Sequence, residues 1–127
     1  MNRSGYLLDS HVLLWIDGEP ERLTRTSLRS QLAHSNVSVS VATTWELAIK
    51  LASNKLDLPL PVSKMVEAYG FSELSITFQH VEVAAALPFH HRDPFDRLLV
   101  AQALVEGLIL VTGDKKLAEY GVPILLV

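Results

Sequence analysis

Short apolar runs alternate along the chain with longer segments in which apolar residues return every three or four positions. Tyr6-Leu7-Leu8 is an uninterrupted apolar run ending at Asp9, the pattern of a strand buried on both faces. Residues 10–16 read as a short helix closed by Asp17-Gly18. Residues 21–33 set leucines 23, 28 and 32 on one helical face, and Asn36 breaks it. Residues 37–41 alternate valine and serine, a strand pattern. Thr43-Thr44-Trp45-Glu46 then fits a capping box, with Thr43 as N-cap and Glu46 at the third helical position. Leu47, Ala48, Leu51 and Ala52 continue that helix at helical spacing.

The second half repeats the theme. A helix over 62–69 opens after Pro61 and stops at Gly70. A third strand is expected over 74–77 and a helix over 79–87, ended by Pro88. Residues 90–94 form a polar loop. Pro94–Glu106 is the next helix, with proline at its start and Gly107 at its stop. A strand over 108–111, a short helix over 115–120 and a last strand over 123–127 follow. This alternation predicts an α/β domain of three layers, with a central, mostly parallel sheet of about five strands and helices on both faces. There is no internal repeat, low-complexity tract or linker, so residues 1–127 are expected to form a single domain.

Composition narrows the chemistry. The chain has no cysteine, which excludes disulfides, cysteine-ligated zinc, iron–sulfur clusters and thiol catalysis. Any metal must be held by oxygen or histidine nitrogen. Hydrophobic residues make up 49% of the chain, charged residues 20%, and mean hydropathy is +0.25. This balance suggests apolar surface covered in an oligomer or against a partner, and a dimer is expected. No apolar run reaches the roughly 20 residues of a membrane span. Asp9 and His11 interrupt the stretch where a signal peptide would carry its apolar region, so the expected location is the cytoplasm. A net charge of −3 is not that of an ordinary nucleic-acid binder. Asp9, Glu46, Asp93, Asp96 and Asp114, however, lie in segments expected to converge. With these five set aside, the basic residues outnumber the acids.

Asp9 ends the first strand, and Asp114 lies just beyond the fourth, in Val111-Thr112-Gly113-Asp114. Ligands of open α/β sheets bind beyond the carboxyl ends of the strands, so neighbouring first and fourth strands would place both acids on one rim. Glu46 and Asp96 are expected in the first turns of two helices, where the macrodipole favours negative charge. Carboxylates crowded in this way raise one another's pKa, and a divalent cation relieves the repulsion. Mg²⁺ or Mn²⁺ suits an oxygen donor set. The matching reaction class is metal-assisted phosphodiester hydrolysis.

Four segments carry a family likeness: Tyr6-Leu7-Leu8-Asp9-Ser10-His11, Thr44-Trp45-Glu46-Leu47-Ala48-Ile49-Lys50, the run from His91 to Ala103, and Val111-Thr112-Gly113-Asp114. In this order and spacing they resemble the PIN-domain proteins, specifically the VapC-type ribonuclease toxins of toxin–antitoxin pairs. The resemblance covers essentially the whole chain. It implies a PIN fold, a Mg²⁺- or Mn²⁺-dependent endoribonuclease acting on RNA, and inhibition by a small cognate antitoxin. The family's four acids fall on Asp9, Glu46, Asp96 and Asp114, as catalytic and metal-site residues. Ser10 stands where the family more often has threonine, and Ser10, Thr112 and Arg97 are expected to support the site.

Each of these residues also has a plainer role open to it. Asp9 can form a turn, Glu46 can complete a capping box, Asp96 can answer a helix dipole, and Asp114 can cap the helix that follows it. Asp93, before Pro94, is expected as an N-cap. His90 and His91 are expected in a solvated loop, Arg97 in an ion pair or holding a phosphate or carboxylate, and Trp15 and Trp45 in the core. Lys50, Lys115 and Lys116 either steer RNA or solvate a face. A receiver domain would need an acid where Thr77-Phe78-Gln79-His80 stands. A haloacid dehalogenase-type phosphatase would need a second aspartate at His11. The remaining alternative is a non-catalytic binding module acting through its antitoxin or DNA complex.

Overall fold

The computed structural model describes residues 5–23, 31–32 and 35–127. Among them, five strands form one sheet: β1 (Gly5–Leu8), β2 (Asn36–Ser40), β3 (Ser72–Leu74), β4 (Ile109–Thr112) and β5 (Ile124–Leu126). All four pairings are parallel, in the order β3-β2-β1-β4-β5. Parallel neighbours need crossover connections. Helices α1 (Ser10–Gly18), α2 (Val41–Ala52), α3 (Val62–Ala68), α4 (Phe78–Ala86) and α5 (Pro94–Glu106) occupy those connections, with 3₁₀ turns at Pro20–Arg22 and Lys115–Tyr120. The helix expected over 21–33 falls largely outside the described residues.

The central strands are apolar on both faces because both faces are covered. Leu7 and Leu110 point into one core with Leu99, Val100 and Ala103 of α5. Leu8 and Val111, next to them in sequence, point into the other with Val12 and Leu13 of α1, Leu47 of α2 and Met65 of α3. Period-two alternation thus feeds two cores and gives the expected three layers. α4 packs on α5 as an outer helix.

The chain moves outward from β1 to β2 and β3, then returns through α4 and α5 to place β4 on the other side of β1. Strand order therefore reverses between β1 and β4, which opens a crevice at their carboxyl ends.

Three local expectations are corrected. α2 begins at Val41, capped by Ser40, whose hydroxyl accepts from the Ala42 amide at 3.0 Å. Thr43 is therefore inside the helix, and Glu46 lies in its second turn. β3 ends at Leu74, and Thr77 instead caps α4 in a reciprocal capping box with His80. Trp45 is 61% exposed, so it is a surface residue and not a core one. By contrast, α5 keeps its expected bounds, with Asp93 as N-cap and Gly107 in the left-handed region at φ 69°. No described helix is long and apolar enough to cross a membrane.

Candidate functional site

The strand rim is built first by the sheet's register. Leu8 pairs with Val111, and the Asp9 amide donates to the Val111 carbonyl at 3.0 Å. That register sets Asp9 beside Thr112. The Thr112 hydroxyl donates to Asp9 Oδ2 at 2.5 Å and accepts from the Asp114 amide at 3.0 Å. Asp9 Oδ1 accepts from the Val12 amide at 2.9 Å and so caps α1. Thr112 is fully buried and Asp9 nearly so, with Ser10 buried alongside as the first residue of α1. Asp114 Oδ1 caps the final 3₁₀ turn through the Lys116 amide at 3.0 Å. The capping roles of Asp9 and Asp114 are thus real, and each leaves oxygen lone pairs for a ligand. The turn between Thr112 and Asp114 passes close under Trp15: a Cβ at Gly113 would lie 3.0 Å from its ring.

The helices supply the rest. Asp93 Oδ1 caps α5 through the amides of Phe95 and Asp96, at 2.8 and 3.3 Å. Asp96 sits in the first turn, as expected. Burial, with the Asp93 charge next, pushes the Asp96 carboxyl up to about 7; nearby His91 pulls the other way, and Asp9 and Glu46 add to the rise. Burial also pushes Asp9 up, against the bonds from Thr112 and Val12, and the Glu46 charge adds to this. Glu46 is largely buried, and its Oε2 lies 3.6 Å from Lys50 Nζ.

Asp9, Asp96 and Asp114 line one cleft of about 540 Å³, together with His11, Trp15 and Arg22. Glu46 lines an adjoining groove of about 490 Å³ with Lys50, Lys55, Arg92 and Phe95. The acids share a field, but the tightest cluster is a different set. His91, Asp96 and Asp114 each bring one candidate ligand atom within 4.8 Å of the others. His91 Nε2 is 3.2 Å from Asp114 Oδ2 and 3.5 Å from Asp96 Oδ2. His91, expected in a solvated loop, instead faces two of the acids. The signal that could have found it is its place five residues before Asp96, at the mouth of a capped helix.

Arg97 is a further correction. It is buried, and its guanidinium donates to the carbonyls of Ala84, Leu87 and Pro88 at 2.8, 3.0 and 2.8 Å and lies over the Phe89 ring at 4.4 Å. These are carbonyls at the C-terminal end of α4, where a helix favours positive charge. Among the described residues Arg97 is therefore turned to main-chain carbonyls, not to a carboxylate. Its Nη1 also reaches the Tyr120 hydroxyl, at 3.4 Å.

Carboxylates raised first by burial and then by one another's charge suit a hard divalent cation, which would offset both effects. On this chemistry the donor set fits Mg²⁺ or Mn²⁺.

A model of the PIN domain family matches residues 6–123. Ribonuclease VapC22 of Mycobacterium tuberculosis (strain ATCC 25618 / H37Rv) is 34% identical over 121 residues, covering 92% of each chain. Among solved structures, VapBC2 from Rickettsia felis, bound to a DNA fragment from its promoter, superposes with a TM-score of 0.73 at 12% identity, covering 97% of this chain and 98% of that one. The DNA-bound VapBC from Salmonella typhimurium gives a TM-score of 0.67 at 19% identity, covering 96% and 97%. At those identities the two structures bear on the fold alone.

Proposed function

This chain belongs to the PIN domain family, and from that premise we propose that it is a metal-dependent endoribonuclease toxin restrained by a cognate antitoxin. Its main support is the pair Asp9 and Asp96, drawn from distant parts of the chain to line one cleft, Asp9 buried and Asp96 half-buried, and both raised in pKa. Likeness to a VapC ribonuclease at 34% identity supports the RNA substrate, and the antitoxin partner and a cytoplasmic setting are proposed with it.

Asp9, Asp96 and Asp114 would hold the cation, with Glu46 completing the acidic wall. When bound, Mg²⁺ or Mn²⁺ supplies Lewis acidity that acidifies a water and offsets charge developing on the phosphodiester. The chain's own residues do the remaining work. Thr112 fixes the orientation of Asp9 through its hydroxyl proton. Lys50 pairs with Glu46 at 3.6 Å in the groove that both line. Lys50, Lys55 and Arg92, beside Phe95, offer cations and a ring face to an RNA strand leaving the cleft. Single-stranded RNA can bend into such a cleft more readily than a duplex.

The test is cleavage of RNA carrying single-stranded loops, with Mg²⁺ or Mn²⁺, by wild type, Asp9→Asn and Asp96→Asn. Each variant is expected to lose at least about a hundredfold, since even partners of metal ligands are worth 10–100-fold. Equal cleavage by all three proteins would reject the site. Antitoxin binding by a wild type that cleaves nothing would favour the non-catalytic binding module.

A further inference from the structure

His91 meets the carboxylates from the loop that precedes α5. Its ring Nδ1 accepts the Asp93 amide N–H at 3.2 Å. A nitrogen accepting that bond carries no proton, so the neutral ring must carry its proton on Nε2. Nε2 is the atom 3.2 Å from Asp114 Oδ2 and 3.5 Å from Asp96 Oδ2. The other neutral tautomer would set N–H against N–H at Asp93. A metal ligand needs a lone pair at Nε2, and the tautomer that satisfies Asp93 has none there.

The ring is held from behind as well. The His91 amide donates to the Tyr120 hydroxyl at 2.8 Å, and the Tyr120 hydroxyl faces the His91 carbonyl at 3.4 Å. Tyr120 also packs edge-on against His90, with ring centroids 5.0 Å apart. Arg97 Nη1 reaches the same hydroxyl. Both ends of His91, backbone and ring, are therefore tied before any ligand arrives.

We infer that His91 is a positioning residue of the proposed ribonuclease site: its Nε2–H donates to Asp114 beside Asp96, keeping the two carboxylates together at the cleft, and His91 does not itself ligate the cation. The inference rests on that functional reading and extends it. Placing an N–H between two like charges reduces their repulsion and leaves their remaining lone pairs free for the cation. Partners of this kind, which orient ligands without touching metal, are typically worth about 10–100-fold in metal affinity or activity.

The probe is Mn²⁺ on the full chain, read by EPR titration for affinity and by pulsed EPR for nitrogen coupling, alongside kcat and KM on single-stranded RNA. Wild type is expected to bind Mn²⁺ without the coupling of a directly bonded imidazole nitrogen. His91→Ala should weaken Mn²⁺ binding by about 10–100-fold. His91→Gln, whose amide N–H can stand where Nε2–H stands, should recover most of that loss and most of kcat. Tyr120→Phe leaves the ring in place but unfastens its loop, and should weaken Mn²⁺ binding in the same direction by a smaller factor. It carries the test if His91→Ala does not fold.

An imidazole-nitrogen coupling in wild type overturns the inference. So does His91→Gln no better than His91→Ala, or Mn²⁺ affinity unchanged in both His91→Ala and Tyr120→Phe. If wild type binds Mn²⁺ and cleaves RNA while those variants match it, only the role of His91 falls. If wild type does neither, the ribonuclease reading falls, and the role of His91 with it.

Discussion

The two sides of the cleft are held in different ways. On the strand side, Asp9 and Asp114 follow two hydrogen-bonded parallel strands, and one buried hydroxyl, Thr112, bonds to both residues. On the helix side, Asp96 sits in the first turn of α5, and Glu46 in the second turn of α2. The bonds to Asp9 from Thr112 and Val12 oppose the effect of its burial. Asp96 has the approach of His91 at 3.5 Å as its chief relief, and it is the acid lifted to about 7. Backbone register can therefore hold a desolvated carboxylate in a fixed, hydrogen-bonded form. The helix-borne Asp96 instead meets His91 and stays raised to about 7.

Removing Thr112 should give the largest change in stability. Thr112→Val takes a hydrogen bond from a buried carboxylate and leaves the Asp114 amide without its acceptor. A loss of about 1.5–3 kcal/mol is expected at pH 8, the range for hydrogen bonds to charged groups. Urea unfolding reads it, and Thr112→Ser should stay close to wild type. If the valine variant is as stable as wild type, the strand side is not held by this bond.

The helix side should reveal itself through pH. In the folded metal-free protein Asp96 titrates near 7, against 3.8 for the ordinary carboxyl. Between those values the folded state binds more protons than the unfolded state, so stability falls as pH rises through the window. Asp9, also raised, adds to the same trend. Thermal unfolding in EDTA should therefore give a melting temperature that declines from pH 5 to pH 8. Asp96→Asn should flatten that decline, and Mn²⁺ at pH 7.5 should reverse it in wild type. A flat profile for wild type in EDTA would contradict the raised pKa ascribed to Asp96.

The smallest effect concerns how Glu46 is delivered. Ser40→Ala should cost about 1 kcal/mol, the usual value of an N-cap. Thr43→Ala should cost less, because its buried hydroxyl finds no partner among the described residues. If Thr43→Ala proves the costlier of the two by urea unfolding, α2 starts where the sequence pattern suggested.

That pattern shows how far local signals reach. Pro94, Asp93 and Gly107 bound α5 to the residue because proline, the N-cap and a left-handed glycine act on their own few neighbours. Thr43-x-x-Glu46 has the same local form, yet β2 ends at Ser40, where it pairs with Leu74 of β3, and the Ser40 hydroxyl takes the cap. β3 likewise ends early because its register against β2 and the Thr77–His80 box divide the segment between them. Trp45 looked like a core residue by type, but its ring meets Phe95 at the surface, with centroids 5.6 Å apart.

By itself, the amino-acid sequence determined the alternation of strands and helices, the absence of thiol chemistry, and the four acids and their likeness to a family. Those properties follow from residue type and short-range spacing. Only the tertiary structure decided that Thr112 would bridge Asp9 and Asp114, that His91 would face Asp96 and Asp114, and that Arg97 would turn to the end of α4. Each depends on which side-chain atoms meet across separate elements of the fold, as with Thr112 and Asp9, 103 residues apart in the chain. Burial and hydrogen-bond satisfaction settle such meetings only once the two cores have closed.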